Sequence, residues 1–80
     1  MKYVANPVEV DAFKIVSVIG SATVPGEYHV RLEDGATVRA TLEMTARMVP
    51  REGDYWVVQS DGYVYLNPKD VFERKYRKKE

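Results

Sequence analysis

The chain has 80 residues, no cysteine and a formal net charge of zero. That length supports one domain, which buries only about 60–65% of its extended-chain surface and has a stability of order a few kcal/mol. The missing cysteine excludes disulfides, thiolate nucleophiles and thiolate-ligated zinc, and no stretch approaches the roughly 18 apolar residues of a membrane span.

The charge is unevenly placed. Residues 1–68 carry six Lys/Arg against nine Asp/Glu, whereas residues 69–80 carry six Lys/Arg (Lys69, Arg74, Lys75, Arg77, Lys78, Lys79) against three acids. A mildly acidic body argues against a dedicated nucleic-acid binder, which spreads a basic face over its fold. The domain is expected over residues 1–76, with 77–80 as a frayed basic tail.

In chain order, Met1–Pro7 has no long apolar core, so no signal peptide and a cytoplasmic location are expected. Residues 7–19 read as a strand rich in β-branched residues. Val8, Val10 and Ala12 share one parity and Phe13 and Ile15 the other, which predicts a bulge or bend near Ala12–Lys14. Gly20-Ser21 and Pro25-Gly26 punctuate a loop.

Tyr28–Ala40 encodes a hairpin whose side-chain pattern selects its register. A two-residue Asp34-Gly35 loop would set apolar residues against polar ones along the ladder. A three-residue Glu33-Asp34-Gly35 loop pairs Arg31 with Thr37, Val30 with Val38 and His29 with Arg39. It gathers Tyr28, Val30, Leu32, Ala36, Val38 and Ala40 on one face. Because a one-residue slip turns a strand's apolar set outward, the longer loop is expected, closed by a left-handed glycine.

Thr41–Met48 alternates like a strand, but continuing the preceding strand to Met48 would give 13 residues. Thr41 is a good helix cap followed by helix formers, so a short helical turn is expected there, ended by Pro50 and Gly53. Tyr55–Leu66 repeats the hairpin design around Ser60-Asp61-Gly62. A three-residue loop there puts Trp56, Val58, Val64 and Leu66 on one face and Tyr55, Val57, Gln59, Tyr63 and Tyr65 on the other, and is the register expected, although a two-residue loop also gives acceptable faces. Asn67-Pro68-Lys69-Asp70 reads as a turn, and Val71–Tyr76 as a short final strand. The fold class expected is all-β or β-dominated, a small barrel or roll of antiparallel hairpins with one short helical turn.

The segments Gly53-Asp54-Tyr55-Trp56-Val57-Val58 and Asp61-Gly62-Tyr63-Val64-Tyr65-Leu66-Asn67-Pro68-Lys69-Asp70-Val71-Phe72-Glu73-Arg74-Lys75-Tyr76, with the opening Pro7–Phe13, resemble short uncharacterised proteins of tailed bacteriophages and prophages. The resemblance covers about half the chain, at its two ends. Many members carry Cys-Lys before the proline where this chain has Leu66-Asn67, so no thiol chemistry is implied here. The group has no established activity. The resemblance implies a phage origin and a small accessory role, and assigns no catalytic residue.

Few residue patterns suggest chemistry. The single histidine, His29, sits cross-strand from Arg39, and nothing in the sequence brings a serine and a carboxylate to it. Asp34 and Asp61 suit their loops by bonding nearby backbone, Asp54 suits the turn after Gly53, and Asp70 suits a cap before Phe72. No phosphate loop or dinucleotide fingerprint is present. The chain is therefore read as a non-enzyme without a cofactor. Tyr55, Tyr63 and Tyr65 form an aromatic face that either packs under the first or last strand or stands open to a partner. With Arg31, Arg39 and Arg74 they are the candidate binding residues. The expected partner is a host protein or a second copy of the chain. An oligomeric binder of nucleotide signals, a single-stranded nucleic-acid binder and a virion component are the alternatives, and no membrane role is expected.

Overall fold

The computed structural model describes residues 2–5 and 8–78. In chain order its elements are β1 (Lys2–Ala5), β2 (Val8–Gly20), β3 (Tyr28–Leu32), β4 (Thr37–Ala40), α1 (Leu42–Thr45), β5 (Tyr55–Val58), β6 (Val64–Asn67), α2 (Lys69–Lys75) and β7 (Arg77–Lys78). Every strand pairing is antiparallel, and the sheet curls into a half-barrel.

The 13-residue strand β2 is the spine. Asp11 pairs with Lys2 of β1 and with Val58 of β5, so those two strands lie on opposite edges of β2. Further on, β3 takes the edge that β1 has left, with Ile15 opposite Leu32 and Gly20 opposite Tyr28. At the handover, Lys14 and Glu33 exchange bonds. The Glu33 N–H donates to the Lys14 carbonyl at 2.9 Å, and the Lys14 N–H donates to Glu33 Oε2 at 2.8 Å. Beyond these, β7 adds to β1, β4 to β3 and β6 to β5.

The parity break in β2 has a different cause from the bulge expected at Ala12–Lys14. Val10 and Ala12 face one core, with Tyr55, Val57, Phe72 and Tyr76. Ile15, with the half-buried Phe13, faces a second core containing Val30 and Leu32. Successive residues of an uninterrupted strand point to opposite faces, and here both faces are covered. The bulge itself comes later, as a register shift between Ile15 and Ser17. It absorbs one residue, so Ile15 and Val18 pack in the same core although they are three positions apart.

Both hairpins take the expected three-residue loops. Arg31 pairs with Thr37, Val30 with Val38 and His29 with Arg39, while Val58 pairs with Val64 and Trp56 with Leu66. Gly35 and Gly62 close the turns at φ +92° and +91°, where a side chain would be strained. Asp34 and Asp61 each accept the N–H of the residue two positions on, at 3.0 and 2.9 Å. The helical turn expected near residue 41 is α1, with Thr41 Oγ1 accepting the Met44 N–H at 3.4 Å.

The carboxy-terminal expectation is corrected. Residues 69–75 form α2 rather than a strand over Val71–Tyr76. Helical spacing puts Phe72 and Tyr76 on one side, both buried, and leaves Val71 exposed. Pro68 precedes the helix with no side-chain cap hydrogen bond, and Asp70 stands in the first turn. The missing acceptor comes from Asp54. Its Oδ1 accepts the Lys69 N–H at 2.9 Å and its Oδ2 accepts the Arg51 N–H at 3.0 Å. Of the predicted frayed tail, Arg77 and Lys78 pair with β1 instead, and residues 79–80 lie outside the described residues. Among the described residues, no helix is long and apolar enough to cross a membrane.

Candidate functional site: a cleft between a sheet edge and a helical turn

The tyrosine face divides into a buried end and an open end. Tyr55 is only 3% exposed. Its ring stacks on Phe72 with centroids 4.1 Å apart, and its hydroxyl donates to Glu73 Oε2 at 2.7 Å. Burial, and then this bond to a carboxylate, raise the Tyr55 phenol well above its ordinary value. The same bond, followed by the nearby Lys14 ammonium at 3.7 Å, lowers the Glu73 carboxyl. Tyr55 is therefore a core residue and does not belong to a binding platform. It is covered by α2 through Phe72, and Tyr3 of β1 also meets its ring edge-on with centroids 5.8 Å apart.

Toward the hairpin tip the face opens. Tyr63 is 55% exposed, while Tyr65 is half-buried and packs against the first core. Their rings stack with centroids 6.0 Å apart and planes 29° from parallel. Burial, with the Tyr76 hydroxyl second, pushes the Tyr65 phenol up to about 12.

These two rings border a cleft of about 450 Å³ between β6 and α1. On the strand side it is lined by Tyr63 and Tyr65 from one face and Val64 and Leu66 from the other, with Gln59 beyond them. Side chains from both faces of one strand can meet a single cleft only at that strand's edge. On the helix side stand Thr41, Glu43, Met44 and Arg47. The cleft thus offers apolar surface at Met44, Val64 and Leu66, hydrogen-bonding tips at Gln59 and the tyrosines, and one charge of each sign. That mixture suits recognition of a polar–apolar surface.

The turn holding α1 is tied down from outside. Thr45 Oγ1 donates to the Gly26 carbonyl at 2.6 Å, joining α1 to the loop after β2. A helical turn was favoured for residues 41–48, but its meeting with β6 was not legible. Glu43, Met44 and Arg47 were missed because their proximity to β6 depends on how the sheet curls, whereas Gln59 was placed on the tyrosine face by the hairpin register.

The remaining candidates lie away from the cleft. Arg31 and Arg39 are exposed on the outer face of β3 and β4 together with His29, where Arg39 Nε lies 3.8 Å from Glu27. Arg74 is exposed on α2, its Nε donating to the Asp70 carbonyl at 3.4 Å. Of the six residues singled out, only Tyr63 and Tyr65 line the cleft, while Arg31 and Arg39 share the outer face of the first hairpin. Among the described residues, no group of three or more His, Asp or Glu is placed to hold a metal ion. No family model, curated protein or solved structure matches the chain.

Proposed function

We propose that the protein is a small, non-enzymatic accessory protein of a tailed phage or prophage. It acts in the host cytoplasm by binding a host protein through the cleft between β6 and α1. The phage assignment rests on the sequence resemblance alone. The binding assignment is carried by one observation: a 450 Å³ concavity bordered by the stacked Tyr63 and Tyr65 rings, with Tyr63 more than half exposed. Tyrosine presents a large rigid ring and a polar tip at small entropic cost, which is why it concentrates where proteins meet.

The test is capture from a host lysate by the native chain and by two cleft variants, Tyr63→Ala and Arg47→Glu, with mass in solution measured alongside. A partner held by the native chain and lost by both variants supports the reading. A partner retained equally by both variants, or none captured, overturns it. A rise in melting temperature with one member of a nucleotide panel would replace it with the small-ligand reading, since a ligand of the native state raises apparent stability. Capture that collapses with moderate salt and yields nucleic acid would replace it with the phosphate-binding one.

A further inference from the structure

The cleft is more than a hollow, because the strand that borders it has an unsatisfied edge. Among the described residues, β6 pairs with β5 and with no other strand. Its hydrogen-bond phase follows from the hairpin turn, where the Gln59 N–H donates to the Tyr63 carbonyl at 2.8 Å and the Gly62 N–H donates to the Gln59 carbonyl at 2.9 Å. In an antiparallel pair, bonded and non-bonded positions alternate. Tyr65, opposite Val57, therefore turns its backbone groups toward β5. Val64 and Leu66, opposite Val58 and Trp56, turn theirs outward. Those outward groups meet no backbone partner among the described residues.

Two other open edges are less receptive. β4 turns Thr37 and Arg39 outward, and β7 has two residues, Arg77 and Lys78. Charged or very short edges resist strand addition. The edge of β6 instead carries valine and leucine and opens into a cleft walled by α1.

We propose that this edge is a strand-addition site, and that its occupant is a short extended segment of a partner protein, hydrogen-bonded to the Val64 and Leu66 backbone. The proposal rests on the reading of the cleft as the binding surface and specifies how the partner is held. Geometry limits the occupant. The outward-facing run of β6 extends from Val64 to Leu66, so an added strand pairs with it over about three residues at about 3.3 Å of rise each. A second copy would bring its own α1 to the same edge, so two walls would compete for that space. The segment's side chains alternate between two environments. One set meets Val64, Leu66 and Met44, and the other meets Tyr63, Tyr65 and Gln59. The recognised segment accordingly has apolar residues at every second position.

The test begins by selecting a displayed library of random linear peptides against the full chain. Recovered peptides should show apolar residues two positions apart. On saturation with a recovered peptide, exchange of the Val64 and Leu66 amides should slow by roughly tenfold or more, while Thr37 and Arg39 on the β4 edge stay as they are. Val64→Pro deletes one outward donor while sparing the ladder to β5, a position where an edge strand tolerates proline. It should weaken peptide binding by about tenfold or more, whereas Val64→Ala keeps it within about threefold. Because the proline variant may fail to fold, the amide-exchange result on the native chain decides independently. A library that yields no binder overturns the proposal, as do binders that leave both amides unprotected. Protection that appears without peptide as protein concentration rises assigns the edge to a second copy and overturns it too. Binders lost on Tyr63→Ala that leave the amides unprotected would overturn strand addition alone and leave the cleft reading standing.

Discussion

The Tyr55 ring lies on the Phe72 ring with centroids 4.1 Å apart and planes 23° from parallel. This contact fastens the second hairpin to α2. Phe72 in turn stacks on Tyr76 at 4.8 Å and meets Tyr3 edge-on at 4.9 Å, so one side chain joins β1, β5 and the carboxy terminus.

Phe72→Ala should therefore be the most damaging single truncation in the first core. Removing a fully buried phenylalanine costs about 3–5 kcal/mol, comparable with the whole stability of a domain this small. The variant should be largely unfolded at ambient temperature by circular dichroism. Val71→Ala, at a position 44% exposed, should stay within about 0.5 kcal/mol of the native chain in urea.

Asp54→Ala should destabilise by about 1–3 kcal/mol, because it leaves the Arg51 and Lys69 amides without their acceptor. Asp54→Asn, which keeps one side-chain oxygen, should recover part of that loss. Urea midpoints of the three proteins check the order, and an alanine variant as stable as the native chain would remove Asp54 from its capping role.

Gly62→Ala should cost about 1–2 kcal/mol through backbone strain alone. A methyl group there meets nothing within 4 Å, so no clash contributes. Gly62→Asn, which tolerates the left-handed region better, should lose less. Thermal melts of the two variants separate strain from packing.

Alkaline pH should unfold the protein through Tyr55 and Tyr65. Their phenols are raised in the folded state, Tyr65 to about 12. In the unfolded chain they ionise near the ordinary value of about 10. The stability they contribute is complete below that value and is lost as pH climbs through the folded values. Melting temperature should fall from about pH 10 upward, and Tyr55→Phe should make that fall shallower. The same variant should lose about 0.5–1.5 kcal/mol at neutral pH, with the bond to Glu73. Glu73 has the opposite sign, since its lowered carboxyl contributes above its unfolded value and loses that contribution on the acid side.

The register of the first hairpin was legible because the cause is local, whereas the same pattern only favoured that of the second. Strand side chains alternate with a period of two, so a one-residue slip would have turned Val30 and Leu32, or Val38, away from the core. Glycine at the required turn position supplied the second constraint. The α1 cap at Thr41 was legible for the same kind of reason. α2 was misread because Val71–Tyr76 is short and apolar enough to pass for a strand. The spacing of Phe72 and Tyr76, the proline before them and the basic Arg74 and Lys75 between them pointed to a helix.

The sequence by itself determined the β-dominated class, the three-residue loop of the first hairpin and the existence of a tyrosine face, and it favoured the second three-residue loop and the helical turn at Thr41. Each of these depends on residues close in the chain. Only the tertiary structure decided that β2 serves two cores on opposite faces, that Asp54 caps a helix beginning 15 residues later, and that α2 covers Tyr55 while Tyr63 stays open. It alone set α1 beside the free edge of β6, because the curl of the sheet brings together segments with no local preference for one another.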